Sequence, residues 1–98
     1  MIKAQLKLDE NRNLMSYQIS GHAHYLPKGM DIVCAAVSVL AITVTNDLQG
    51  TPQIMDDNGL TVADISPTLA NQALTKALKH GLQNIATQYP EYLQLTEV

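Results

Sequence analysis

The chain has 98 residues, of which 46% are apolar and 15% are charged, and its formal net charge is -3. This length and composition exclude a disordered chain and a protein with two cores. The six Lys and Arg residues form no run, which argues against binding a nucleic-acid backbone and fits a basic protein or peptide partner better.

The first twenty residues predict a β-hairpin. "IKAQLKL" alternates apolar and polar side chains, "DENRN" supplies a turn, and "LMSYQIS" is expected to place Met15, Tyr17 and Ile19 on one face. The early charges are not those of a signal peptide, and the longest apolar run, 32–44, is shorter than the roughly 20 residues that span a bilayer. We therefore expect a cytoplasmic protein without a membrane partner.

A long first helix is predicted from Asp31 to Leu48. Eighteen residues are too many for an ordinary strand, Asp31 is a good N-cap, and Gly50 is a plausible stop. The apolar residues with helical spacing are Val33, Val37, Leu40, Ala41, Val44 and Leu48. A helix this apolar should be nearly surrounded by a sheet, a second helix or a partner subunit.

The second half of the chain predicts a hairpin, a helix and a last strand. Asn58-Gly59 favours a tight two-residue turn, Ser66-Pro67 favours a helix start with Ser66 as the cap, and Pro90 ends that helix. Its apolar stripe is Ala70, Ala73, Leu74, Ala77, Leu78, Leu82, Ile85, Ala86 and Tyr89. The predicted class is α+β, a ββαββαβ single-domain sheet packed with two helices over residues 1–98.

The only cysteine, Cys34, lies at the start of the first predicted helix. If Asp31 is the cap, Cys34 falls in the first turn, where the helix dipole favours a thiolate and free N–H groups could stabilise an oxyanion. His22 lies twelve residues upstream and could act as its base. Asp31 and Ser38 share the helical face of Cys34, and either could orient His22 or a bound peptide.

Less specific interpretations fit the same residues. A lone cysteine in an apolar helix is usually a small buried hydrophobe, and Gly21 can serve backbone geometry alone. His22, His24 and Cys34 could bind zinc, but the set has three ligands and lacks the usual paired spacing. His80, in the second predicted helix, is expected to be exposed.

"GHA" followed by "DIVCAAVSVL" resembles the ribosomal-processing cysteine protease family, Prp, and the resemblance covers the whole chain. It implies that Cys34 is the nucleophile and His22 the catalytic histidine, and that Asp31 and Ser38 are supporting residues. It also implies that Gly21 lets the following loop move. The segment "HYLPKGM", residues 24–30, departs from the small and acidic residues usual there.

The resemblance implies a cysteine endopeptidase that removes a short N-terminal extension from a large-subunit bacterial ribosomal protein, number twenty-seven. It implies a homodimer and requires no metal or organic cofactor. The alternative is a non-catalytic binding module that holds a ribosomal protein or an assembly intermediate.

Overall fold

The computed structural model describes residues 1–21, 30–56 and 59–98, with the backbone alone for Met30 and Asp31. The elements follow the order ββαββαβ, which confirms the predicted α+β class. Their bounds are β1 Ile2–Leu8, β2 Leu14–Ser20, α1 Met30–Asp47, β3 Gln53–Met55, β4 Leu60–Ala63, α2 Leu69–Gln88 and β5 Leu93–Glu97.

The strands form one mixed sheet in the order β3-β4-β2-β1-β5. β1 pairs with β5 in parallel, and the other neighbouring pairs are antiparallel. Leu6 lies opposite Tyr17, and Tyr17 lies opposite Val62, so three central strands place their apolar side chains in one row.

Both predicted strands of the first hairpin are confirmed, but Met15 is 40% exposed and does not share the buried face of Tyr17 and Ile19. The register shifts there, since Lys7 pairs with Ser16 and Leu8 with Leu14, which leaves Met15 without a partner in β1.

Both helices pack on one face of the sheet. Along β1, Ile2, Ala4 and Leu6 are buried while Lys3 is exposed, as strand alternation requires. From α1 the core takes Val33, Val37, Ala41 and Val44, and from α2 it takes Leu78 and Leu82. The opposite sheet face carries the polar alternates of the strands.

The two helices approach each other closely where Gly81 faces Leu40. A Cβ atom added at Gly81 would collide with the end of the Leu40 side chain, so any larger residue there would require that side chain to shift. The α2 face that packs inward includes two polar residues, Asn71 and Thr75, whereas Ala73 and Ala77 of the predicted apolar stripe are exposed. The stripe was thus partly wrong, because buried polar groups with hydrogen-bond partners replace part of it.

The helix starts differ from the predictions. α1 begins at Met30, so Asp31 is inside its first turn and is not the N-cap. α2 begins at Leu69, and its cap is Thr68, whose hydroxyl accepts a hydrogen bond from the Asn71 N–H at 3.1 Å. Ser66 is not the cap, because it lies two residues before Thr68; its carbonyl accepts hydrogen bonds from Thr68 N–H and from Asn71 Nδ2.

The connection between β3 and β4 is longer than the predicted two-residue turn. Met55 pairs with Thr61, which leaves five residues between the paired positions. Asn58 lies outside the described residues, and Gly59 has the expected positive φ of 124°. The predicted ends of the helices fit better, since α1 stops at Asp47 before Gly50 and α2 stops at Gln88 before Pro90.

Within the described ranges, neither helix is long and apolar enough to cross a lipid bilayer.

Candidate active site

A cleft of about 380 Å³ opens between α1 and the strands β2, β4 and β3. Its described lining consists of Ile2, Ile19, Ser20, Gly21, Cys34, Val37, Ser38, Ala41, Ile42, Thr45, Asn46, Ile54, Asp56, Gly59 and Leu60. Three residues predicted for a site, Gly21, Cys34 and Ser38, therefore lie on one concave surface. A cleft of this volume falls in the range of small-ligand and substrate pockets.

The α1 wall of the cleft follows helical periodicity. Cys34, Ser38, Ala41 and Thr45 recur at intervals of three or four residues, so they lie on one face of the helix over about three turns. Cys34 is half-buried, and it packs against the core while also lining the cleft. Its sulfur-bearing side chain is thus neither a fully buried hydrophobe nor a freely exposed thiol.

The position of Cys34 within α1 corrects one expectation. Because the helix begins at Met30, Cys34 is its fifth residue and its own N–H lies inside the hydrogen-bonded ladder. The N–H groups without an intrahelical partner belong to the residues that precede it. Any oxyanion held by this helix end would therefore be bound by backbone N–H groups of residues before Cys34.

Ser38 lies one turn after Cys34 and is half-buried in the cleft wall. Its hydroxyl makes no hydrogen bond to another described residue, so within that part of the chain the group is available to a ligand or a neighbouring side chain. Thr45, deeper along the same helix face, is different. Its hydroxyl donates to the Ala41 carbonyl at 2.6 Å and meets the Tyr17 hydroxyl at 2.6 Å.

Gly21 fixes the point at which the chain leaves β2. Its φ is 110°, and an added Cβ would collide with the Met1 carbonyl, so both backbone conformation and space require glycine. His22 follows directly in the sequence and lies outside the described residues, as does His24. The side chain of Asp31 also lies outside them.

The opposite wall of the cleft was not predicted from sequence. Ile54, Asp56, Gly59 and Leu60 come from β3, β4 and their connection. They reach α1 only because β4 pairs with β2, with Leu60 opposite Ile19. Ile42 and Thr45 could have been predicted for the α1 wall, because their spacing from Cys34 places them on the same helical face. No local sequence pattern predicts the strand wall.

The zinc hypothesis gains no support from the described residues, which contain no group of three or more His, Cys, Asp or Glu placed to hold a metal. The hypothesised set of His22, His24 and Cys34 lies partly outside those residues. His80 is exposed on α2, as expected, and is not among the residues that line the cleft.

A half-buried cysteine in the wall of an open cleft is an arrangement suited to a cysteine hydrolase. The family model described as cysteine protease Prp matches residues 1–94. The chain belongs to this family of cysteine proteases, which confirms the resemblance seen in the sequence.

Similar proteins agree with this assignment. The ribosomal processing cysteine protease Prp of Bacillus subtilis (strain 168) is 28% identical over an alignment 108 residues long. The alignment covers 98% of this chain and 96% of the relative. The S. aureus processing protease Prp, solved with a substrate peptide, has a TM-score of 0.91 and 21% identity over the full length of both chains. A Streptococcus mutans structure has a TM-score of 0.82 and 29% identity, covering 100% of this chain and 94% of that one.

Proposed function

We propose that this chain is an endopeptidase that removes the short N-terminal extension of a large-subunit bacterial ribosomal protein, number twenty-seven, in support of ribosome assembly. The observation that carries the proposal is the half-buried Cys34 in the wall of a peptide-sized cleft, in a chain of the cysteine protease Prp family. The B. subtilis relative is named a ribosomal processing protease, and the S. aureus structures hold a substrate peptide and a covalently linked product peptide.

In the proposed mechanism, the Cys34 thiolate attacks the scissile carbonyl carbon and forms a tetrahedral oxyanion. Backbone N–H groups at the start of α1, before Cys34, stabilise the negative charge. His22 gives a proton to the leaving amine as the C–N bond breaks, which leaves a thioester on Cys34. Water, deprotonated by His22, attacks the thioester and releases the second product and the thiolate.

The proposal gives supporting roles to three residues. Ser38 is one turn from Cys34 on the cleft wall, where its hydroxyl can bind the peptide or His22. Asp31 lies three residues before Cys34 on α1, and a spacing of three places two residues on the same face of a helix. Gly21 allows the backbone turn that delivers His22 from the end of β2.

A homodimer is the second part of the proposal. The side chains of Ile32, Val39 and Ile42 on α1 are 63%, 66% and 55% exposed, although all three are large and apolar. Their spacing of seven and three residues forms one stripe along the helix. Such a stripe is suited to a second copy of the same helix across a twofold axis.

The proposed substrate also bears on the domain organisation, location, cofactor requirement and partner of the protein. Residues 1–98 act as one protease domain, in the cytoplasm where ribosomes assemble, and the Cys–His reaction needs no metal or organic cofactor. The partner is the peptide extension of a protein, with no direct nucleic-acid contact.

The test is mass spectrometry of the extended ribosomal protein after incubation with wild type, Cys34→Ala and His22→Ala. His80→Ala is the matched control, because His80 is exposed and outside the cleft. We expect cleavage by wild type and His80→Ala, and an intact substrate with the other two variants. Intact substrate in all four reactions, with the protein still bound to it, would favour the binding module instead.

A further inference from the structure

The cleft beside Cys34 has an uneven distribution of charge. Its described walls are mostly apolar, and the large apolar side chains are those of Ile2, Ile19, Val37, Ile42, Ile54 and Leu60. Ser20, Ser38, Thr45 and Asn46 are polar but neutral. Among the described lining residues, Asp56 alone carries a formal charge, so it dominates the electrostatic character of this part of the cleft.

Asp56 lies at the end of a strand of the sheet. Asp56 follows the last residue of β3 directly, and Gly59 leads into β4. Gly59 has a φ of 124°, and an added Cβ would collide with the Ile19 carbonyl, so Gly59 itself packs closely on the end of β2. Asp56 therefore lines the cleft from the strand side, near the end of β2 where Ser20 and Gly21 line it as well.

The described cations do not neutralise Asp56. The ion pairs among the described residues join Glu97 to Arg12 at 3.4 Å and to Lys79 at 3.7 Å, and both lie outside the cleft. A carboxylate beside apolar walls attracts a cation more strongly than one in open water, because the low-dielectric wall screens the charge less. The same carboxylate repels an acidic side chain brought into the cleft.

We infer that Asp56 is a specificity-determining residue that selects peptides with Lys or Arg close to the scissile bond and rejects those with Asp or Glu at the same position. The inference rests on the proposed protease function and adds a substrate class to it. Because Asp56 is exposed, the ion pair is worth a modest preference of about two- to fivefold in kcat/KM, and salt should weaken it.

The test is a positional scan of a peptide that spans the cleavage site, with Lys, Gln or Glu placed singly at the four positions on each side. kcat/KM is measured at low and high salt for wild type, Asp56→Asn and Asp56→Lys, with circular dichroism to confirm folding. Glu91→Gln is the matched control, since it removes one exposed carboxylate outside the cleft.

We expect one position at which wild type and Glu91→Gln cleave the Lys peptide about two- to fivefold faster than the Gln peptide. In Asp56→Asn this ratio should fall to about one, and in Asp56→Lys the Glu peptide should become the better substrate. Wild-type cleavage of the Gln peptides with no preference for Lys at any position would overturn the inference and leave the protease function intact. A preference for Lys that survives in Asp56→Asn would also overturn the inference. If the wild type cleaves none of the peptides, both proposals are wrong.

Discussion

The hydroxyl of Tyr17 donates a hydrogen bond to Thr45 Oγ1 across 2.6 Å, and it joins the centre of the sheet to the cleft wall of α1. The direction follows from the second bond of Thr45, whose only hydroxyl proton goes to the Ala41 carbonyl at 2.6 Å. Tyr17 is 1% exposed, so this contact lies within the core. It fixes the helix face that carries Cys34 relative to β2.

This burial predicts a loss of stability at alkaline pH. Burial raises the pKa of Tyr17 above its ordinary value, because the charged phenolate is disfavoured away from water. The folded state therefore holds the phenol proton more tightly than the unfolded state. The contribution of neutral Tyr17 to the free energy of unfolding is fully present below a pH of about 10, the ordinary tyrosine pKa. This contribution is lost as the pH rises from about 10 through the pKa of Tyr17 in the folded protein.

The measurement for Tyr17 is the free energy of unfolding in urea at a series of pH values, from neutral pH to above the ordinary tyrosine pKa of about 10. Tyr17→Phe should flatten the alkaline decline and cost about 1 kcal/mol at neutral pH through the lost hydrogen bond. Tyr92→Phe is the control and should keep the decline. An unchanged alkaline decline in Tyr17→Phe would contradict the assignment.

Asn71 should be a stability residue with no direct part in catalysis. Its side chain accepts from Gln49 N–H at 2.8 Å and donates to the carbonyls of Gln49 and Ser66 at 3.0 and 2.9 Å. Asn71→Ala removes the side-chain partner of the Gln49 N–H and of the Gln49 carbonyl, while the Ser66 carbonyl keeps its bond from Thr68 N–H, and the change should lower the free energy of unfolding by about 3 kcal/mol. Asn84→Ala, an exposed change on the same helix, should alter it by less than about 0.5 kcal/mol. Equal effects of the two changes in urea unfolding would show that this network is unimportant.

Gly21→Ala should reduce activity by more than its effect on stability explains. The change places a Cβ at positive φ against the Met1 carbonyl and shifts the backbone that leads to His22. Gly50→Ala is a matched control, because Gly50 also has a positive φ, of 86°, but does not line the cleft. We expect at least a tenfold loss of kcat/KM in Gly21→Ala below its melting temperature, and near-normal activity in Gly50→Ala. Parallel losses in both variants would assign Gly21 a purely structural role.

Val39→Asp should separate the proposed dimer into monomers. A charge in the middle of the exposed apolar stripe would be desolvated in the interface, whereas Val39 does not line the cleft. Size-exclusion chromatography with light scattering should give twice the monomer mass for wild type and the monomer mass for this variant. Lys76→Asp, on the exposed surface of α2, should remain dimeric. A monomeric wild type at micromolar concentration would refute the dimer.

Local patterns predicted the elements of this fold well. Strict alternation identified β1 to the residue, the predicted strand "LMSYQIS" has the bounds of β2, and Pro90 marked the end of α2. The choice of helix over strand for α1, made from its length and the helical spacing of its apolar residues, is confirmed. These features depend on periodicity and backbone chemistry that are readable within a short window.

Features that depend on tertiary contacts were less accessible. Asp31 and Ser66 are good caps by residue type, but the helices begin one residue before and three residues after them. The buried Asn71 was missed because its partners come from two other segments. Asp56 entered the cleft only through the pairing of β4 with β2, which no local pattern shows.

The central claim is that Cys34 forms a thioester with the substrate, and acid quenching during turnover tests it most directly. An activated ester of the extension peptide makes acylation fast, so the acyl-enzyme accumulates and can be weighed by intact-protein mass spectrometry. The account predicts one acyl group per wild-type chain, mapped to Cys34 after digestion, and none on Cys34→Ala. Hydrolysis of the ester by Cys34→Ala at the wild-type rate, with no adduct on the wild type, would contradict it.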